Sequence, residues 1–256
     1  MRLHSQQDLG KLIADLRKDH PRLVVLLGEE HHSLETSYLA TSLLGQSDVG
    51  FFEQPSDVTP LTQAQAAEQM RHHEKNTARN KQDDQRMGFV MKVAATRNRV
   101  HIDEAGSKRN EVLLARAELE QMLESGVPHN NDEAREKVSR LKKMIVDRAH
   151  SSNTHMATEM IAYLDKAFPD QTPFLAVGIV GSEHLQTKKY GNTNLKKCLT
   201  DAGYHTITID VSLASKPDPT QQSGDYTIHR GSSEPSIDYT LAMVDRRATA
   251  KAVAMR

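Results

Sequence analysis

Apolar residues follow two alternating rhythms along this chain. Leu9, Leu12, Ile13 and Leu16 recur at the spacing of one helical face, and His20-Pro21 ends that run. Next comes "RLVVLL" at 22–27, uniformly apolar and β-branched at its centre, which predicts a strand covered on both faces. Leu34, Tyr38, Leu39 and Leu43 restore the helical period, with Ser33 in the capping position and Gly45 near the end. "VGFFEQP" predicts a second short strand. A polar, Ala/Gln-rich segment turns helical from Met87 to Ala95, and "RVHIDEAG" predicts a third strand.

A long helical hairpin comes next, with arms of roughly Glu111–Glu124 and Asp132–Phe168 separated by the turn residues of "SGVPHNN". "PFLAVGIVGSEH" predicts a fourth strand, "LKKCLTDAG" a short helix closed by Gly203, and "YHTITIDVS" a fifth strand. The remaining tail is rich in loop formers, and "IDYTLAMV" reads as a last edge strand. Short apolar strands alternating with helices predict βαβ units. The expectation is an α/β fold with a mostly parallel sheet flanked by helices, residues 1–256 forming one domain and the hairpin inserted at about 110–168.

In open sheets of this kind the ligand crevice lies beyond the carboxyl ends of the strands. The residues just past each strand are therefore informative: "GEEHH", "EQP", "DEAG" and "GSEH". Parallel neighbours would bring Glu29, Glu30, His31, His32, Glu53, Asp103, Glu104, Glu183 and His184 to one edge. While the chain stays extended past Gly28, Glu29 shares a side with His31, and Glu30 with His32. A carboxylate beside an imidazole can activate water as a general base while the histidine moves a second proton. Alternatively, His31, His184 and one or two of the carboxylates could hold a divalent ion that acidifies a bound water. Both chemistries end in hydrolysis. The bland alternative is that strand ends are loops, where solvated acids and histidines are ordinary; their recurrence at successive ends favours a site.

Elsewhere the signals are structural. Met156, Met160, Ile161 and Leu164 have the spacing of a core-facing helical stripe, with Asn153 and His155 just ahead of it and within reach of the crevice. "RHHEK" around His72 and His73 lies on a polar segment, and adjacent helical positions do not face one ligand. There is no GxxxxGK[ST] and no GxGxxG, so no nucleotide cofactor is expected; HExxH and GxSxG are absent too.

The 33 basic and 34 acidic residues are well mixed, leaving no cationic face for nucleic acid. Cys198 is the single cysteine, which rules out an internal disulfide or thiolate cluster and suits a reducing compartment. The first residues lack the apolar core of a secretory signal, and no apolar stretch is long enough for a membrane span. A cytoplasmic location is expected, or delivery by a secretion route that leaves no such mark.

The ordered set "LLGEEHHS", "FFEQP", "HIDEAG" and "AVGIVGSEHL" resembles the superfamily that unites Tiki/TraB-type proteins, erythromycin esterases, ChaN-like haem-associated proteins and the Ras-cleaving endopeptidase domains of bacterial toxins. Gly28, Glu29, Glu30 and His31 match its GExH, Glu53 its later acid, and Val180 to His184 its VGxxH. One position departs. The family's Arg in the motif before "xxMA" is Ser152 here; Arg148, one turn earlier, could reach the same pocket, and whether it takes over that role stays open.

The resemblance implies a hydrolase with Glu29, His31, Glu53 and His184 as catalytic residues and Glu30, His32, Asp103, Arg148 and Asn153 lining the substrate crevice. It leaves open whether a divalent metal bound by Glu29, His31 and His184 takes part. Because the charged helical insert looks built to meet a macromolecule, an effector-type endopeptidase acting on a protein or peptide is favoured over an ester or lactone hydrolase. A haem- or metal-binding protein without turnover, or an interaction module built on the hairpin, are the remaining alternatives; aromatics at 4% with no Trp suit haem poorly.

Overall fold

The computed structural model describes residues 6–29, 34–53, 62, 64–66, 68–69, 81–102, 114, 117–118, 120–122, 124, 132–169, 171–187, 193–213, 226–230 and 236–243. Helix α1 (Gln6–Asp19) leads into β1 (Arg22–Glu29), followed by α2 (Leu34–Leu44), β2 (Val49–Glu53), α3 (Lys81–Ala95) and β3 (Arg99–Ile102). Then come α4 (Asp132–Ala167), β4 (Phe174–Gly181), a 3-10 turn (Ser182–Leu185), α5 (Leu195–Asp201), β5 (His205–Leu213), β6 (Tyr226–Arg230) and β7 (Tyr239–Met243). The strands form one sheet in the order β3-β2-β4-β1-β5-β7-β6, parallel throughout except for β6, which runs antiparallel to β7. The α/β fold with a mostly parallel sheet flanked by helices is what the apolar pattern predicts.

β1 lies inside the sheet between β4 and β5, and Leu23 to Leu27 are wholly buried. Its side chains alternate between the faces. Val25 and Leu27 pack with Leu9 and Ile13 of α1 and Leu39 and Leu43 of α2. Val24 and Leu26 pack with Met156, Met160 and Leu164 of α4 and Leu195 and Leu199 of α5. With helices on both sides, no position on this strand can be polar until the sheet ends, which is why the run reads as continuous rather than alternating. Each such Leu or Val contributes roughly 1.5–3 kcal/mol as an upper figure. A smaller cluster of Met87, Val90, Met91 and Val93 beds α3 onto Ala66.

The chain's end differs from the sequence expectation. Residues 226–230, within the tail of loop formers, make edge strand β6, and β7 is interior, hydrogen-bonded to β5 on one side and β6 on the other. Tyr226 to Arg230 is too short, and too deep among Gly, Ser and Pro, to stand out by pattern. Asp238 clips β7 to β5: its carboxylate accepts the Thr208 N–H at 2.7 Å and the Lys196 ammonium at 2.6 Å.

Helix α4 has 36 residues, about 54 Å of rod. In its first half Leu141 is buried whereas Met144 and Val146 are exposed. Residues 114, 117–118, 120–122 and 124 are helical as well, and Glu118 pairs with Lys137 of α4, consistent with the expected hairpin. Among the described residues no helix is long and apolar enough to cross a membrane.

Candidate functional site

At its carboxyl end β4 turns sharply into the 3-10 turn, which folds back over β1. Gly28 makes this possible. A Cβ there would stand 2.8 Å from Leu185 Cδ1 and 3.1 Å from the Ser182 Cα, so a side chain would crowd the turn where it crosses the strand. Leu185 is buried in the α4-side core, and the same turn brings His184 into the protein, where it is also buried.

His184 meets two partners. Asn153, wholly buried on α4, has its Oδ1 2.5 Å from His184 Nδ1, and Glu53 Oε1 lies 3.2 Å from Nε2. An amide oxygen only accepts, so with the amide in this orientation Nδ1 carries a hydrogen and donates it. Nε2 faces a carboxylate oxygen, and a hydrogen bond between the two requires one proton, held on the ring or on the acid. Glu53 is fixed from the other side as well: its Oε2 accepts the Gly181 N–H at 2.7 Å. The side chains of His184 and Glu53 are 8% and 11% exposed, dry enough to strengthen their interaction without sealing them from solvent. Asn153 Nδ2 and Ser152 Oγ, both deeply buried, have no hydrogen-bond partner among the described residues.

Glu29 sits differently. It is the last residue of β1, is buried, and its Oε1 is paired with the ammonium of Lys92 from α3. Strand alternation puts it on the face of Val25 and Leu27, toward α2 and α3, whereas Glu53 shares the α4 face with Val49 and Phe51. Thus Glu29 and the Glu53–His184 pair stand at the same end of the sheet on opposite faces.

Of the remaining sequence candidates, Glu30, His31, His32, Asp103 and Glu104 lie outside the described residues, as does the side chain of Arg148. Glu183 is exposed, and His155 is turned to the surface, 3.4 Å from Glu159. Asn153, expected to line the substrate crevice, is wholly buried and gives its amide oxygen to His184. Among the described residues no group of three or more His, Cys, Asp or Glu could hold a metal ion. Burial, then the nearby Asp201, pushes the Cys198 thiol up, the reverse of an activated nucleophile.

Two charged residues escaped the sequence reading. Lys92 interrupts "MGFVMKVAA", and a lone cation in an otherwise apolar helical run is the signal that could have found it. Asp210, on β5 opposite Gly28, has Oδ1 3.1 Å from where a Gly28 Cβ would be, on the same face as the 3-10 turn. Nothing in "TITIDVS" distinguishes it from a strand-end acid turned to water. Compared with known protein families, curated proteins and solved structures, the chain matches none.

Proposed function

We propose that the chain is a hydrolase whose acid–base chemistry is carried by Glu53 and His184, with Asn153 holding the ring. The observation that carries this reading is the continuous Asn153–His184–Glu53 chain of hydrogen bonds. The pair holds one proton at rest. With that proton on the ring, Glu53 is a carboxylate able to take a proton from an attacking water, while Nε2–H of His184 donates to the departing amine or alkoxide. Glu53 then returns its proton to the ring. The water has been divided between the two products, and the pair again holds one proton, so the cycle closes without another proton source.

Peptide-bond cleavage is the favoured reaction. It is supported by the long α4 arm, whose exposed Met144 and Val146 give a surface for a macromolecular substrate, and by the likeness of the strand-end motifs to the Tiki and Ras-endopeptidase group. An effector role in a cell's cytoplasm fits that analogy. The test is a cleavage screen of a peptide library and a panel of esters and lactones, with wild type, His184→Ala and Glu53→Gln side by side. Peptide cleavage lost in both variants while their thermal midpoints stay near wild type supports the reading. Cleavage of esters alone would move the substrate class; no turnover of any compound, or turnover untouched by both changes, would overturn it.

A further inference from the structure

We infer that Lys92 is the built-in counter-cation of Glu29, occupying the role a divalent metal would take there, and that the site works without a metal ion. This deepens the hydrolase reading and rests on it only for its activity arm. The metal set that the strand-end motifs imply is Glu29, His31 and His184; His31 lies outside the described residues, and the other two do not fit such a set. Glu29 Oε1 already has the Lys92 ammonium against it, and the two side chains are 2% and 9% exposed. A divalent ion on that carboxylate would be forced beside a buried positive charge with little water to screen the repulsion.

His184 is equally committed. Nδ1 bears the hydrogen given to Asn153 and Nε2 is engaged by Glu53, so a metal could take a ring nitrogen only by breaking one of these bonds. Alternation along β1 and β2 also turns Glu29 toward α2 and α3 while His184 lies on the α4 side. One ion would have to be shared across the end of the sheet. Among the described residues, a lysine on the neighbouring helix reaches the end of the strand through an apolar layer and sets its ammonium against Glu29 Oε1.

The experiment uses the full chain. Wild type is dialysed against Zn2+, Mn2+ or Mg2+ and its metal content measured, alongside Glu29→Gln. The expected result is far less than one equivalent of each; a full equivalent that disappears in Glu29→Gln overturns the inference. A thermal double-mutant cycle of Lys92→Met, Glu29→Gln and the double variant tests the pair itself. Each single change strands or removes one buried charge and should lower the midpoint on the order of 10 °C, with most of that recovered in the double variant; strictly additive losses overturn the pairing. In the activity arm, chelator-treated wild type should keep its cleavage rate, and a rate that falls and returns only with added Zn2+ overturns the inference. If wild type cleaves nothing, the hydrolase reading falls while the dialysis and the cycle still decide this one.

Discussion

His184 Nε2 stands 3.2 Å from Glu53 Oε1, and the other oxygen of that carboxylate is held by the Gly181 N–H at 2.7 Å, so the acid is fixed by backbone beside the ring. Glu53→Gln preserves the shape and removes the carboxylate that we propose exchanges a proton with the ring. On a cleaved peptide kcat should fall roughly 10²–10⁴-fold, the range of one lost acid–base role. Steady-state kinetics checks this, and unchanged kcat sinks the assignment.

Asn153 gives the ring its orientation. Asn153→Leu leaves a buried N–H unsatisfied and should cost about 1–3 kcal/mol in urea unfolding. The imidazole 15N shifts of His184 should report a changed tautomer in this variant. Retention of the Nδ1–H form would mean that some other group sets it.

Gly28 is the fulcrum of the 3-10 turn. In Gly28→Ala the new methyl would meet the Leu185 methyl at 2.8 Å and both Asp210 Oδ1 and the Ser182 backbone at 3.1 Å, so the turn would have to give by a few tenths of an ångström. A loss of roughly 1–3 kcal/mol is expected from overpacking, together with lower turnover because His184 rides on that turn. A fully active, fully stable alanine variant would show that the turn has room to shift.

The sheet could be read from the sequence because its central strands are buried on both faces and so consist of little but aliphatic residues. Glu53 and His184 were legible for a related reason: they are the first titratable groups after long apolar runs, save the exposed Glu183 just before the histidine. Their closeness follows from β2 and β4 being neighbours, information that no local window holds. Lys92 is the instructive miss. Its partner lies 63 positions away in the chain, and a single lysine in a helix reads as surface until the fold brings Glu29 beneath it. β6 was hidden for another reason, since a five-residue edge strand needs little apolar content and its neighbours are all loop formers.

Tyr204 should shape the alkaline limb of stability. Burial, reinforced by its hydrogen bond to Asp165, pushes the phenol up to about 12. A raised value means that the folded state favours the neutral form, so this stabilisation is whole below about pH 10 and is lost as pH climbs toward 12. Unfolding curves of wild type and Tyr204→Phe should converge over that window; parallel curves would remove the tyrosine from the account.

His205 acts at the other end of the scale. Its ring stacks on His20 with centroids 3.4 Å apart, and partial desolvation, followed by the His20 and Lys196 charges against the opposing pull of Asp238, holds its pKa below the ordinary histidine value. The fold therefore favours the neutral ring. Its contribution is intact above about pH 6.5 and fades as pH falls through the lowered value. His205→Asn should flatten the decline in midpoint between neutral and mildly acidic pH, and an unaltered slope would place that decline elsewhere.

Among the described residues the outermost strands are shorter than the three central ones: β3 has four residues and β6 five, against eight in β1 and β4 and nine in β5. An intruding polypeptide trying to extend the sheet finds only a few rungs on either flank, and on one of them a strand reversed relative to the rest. Protection against fibrillar self-association is thus written into the outline of the sheet, leaving its long inner strands free to be as greasy as the core demands.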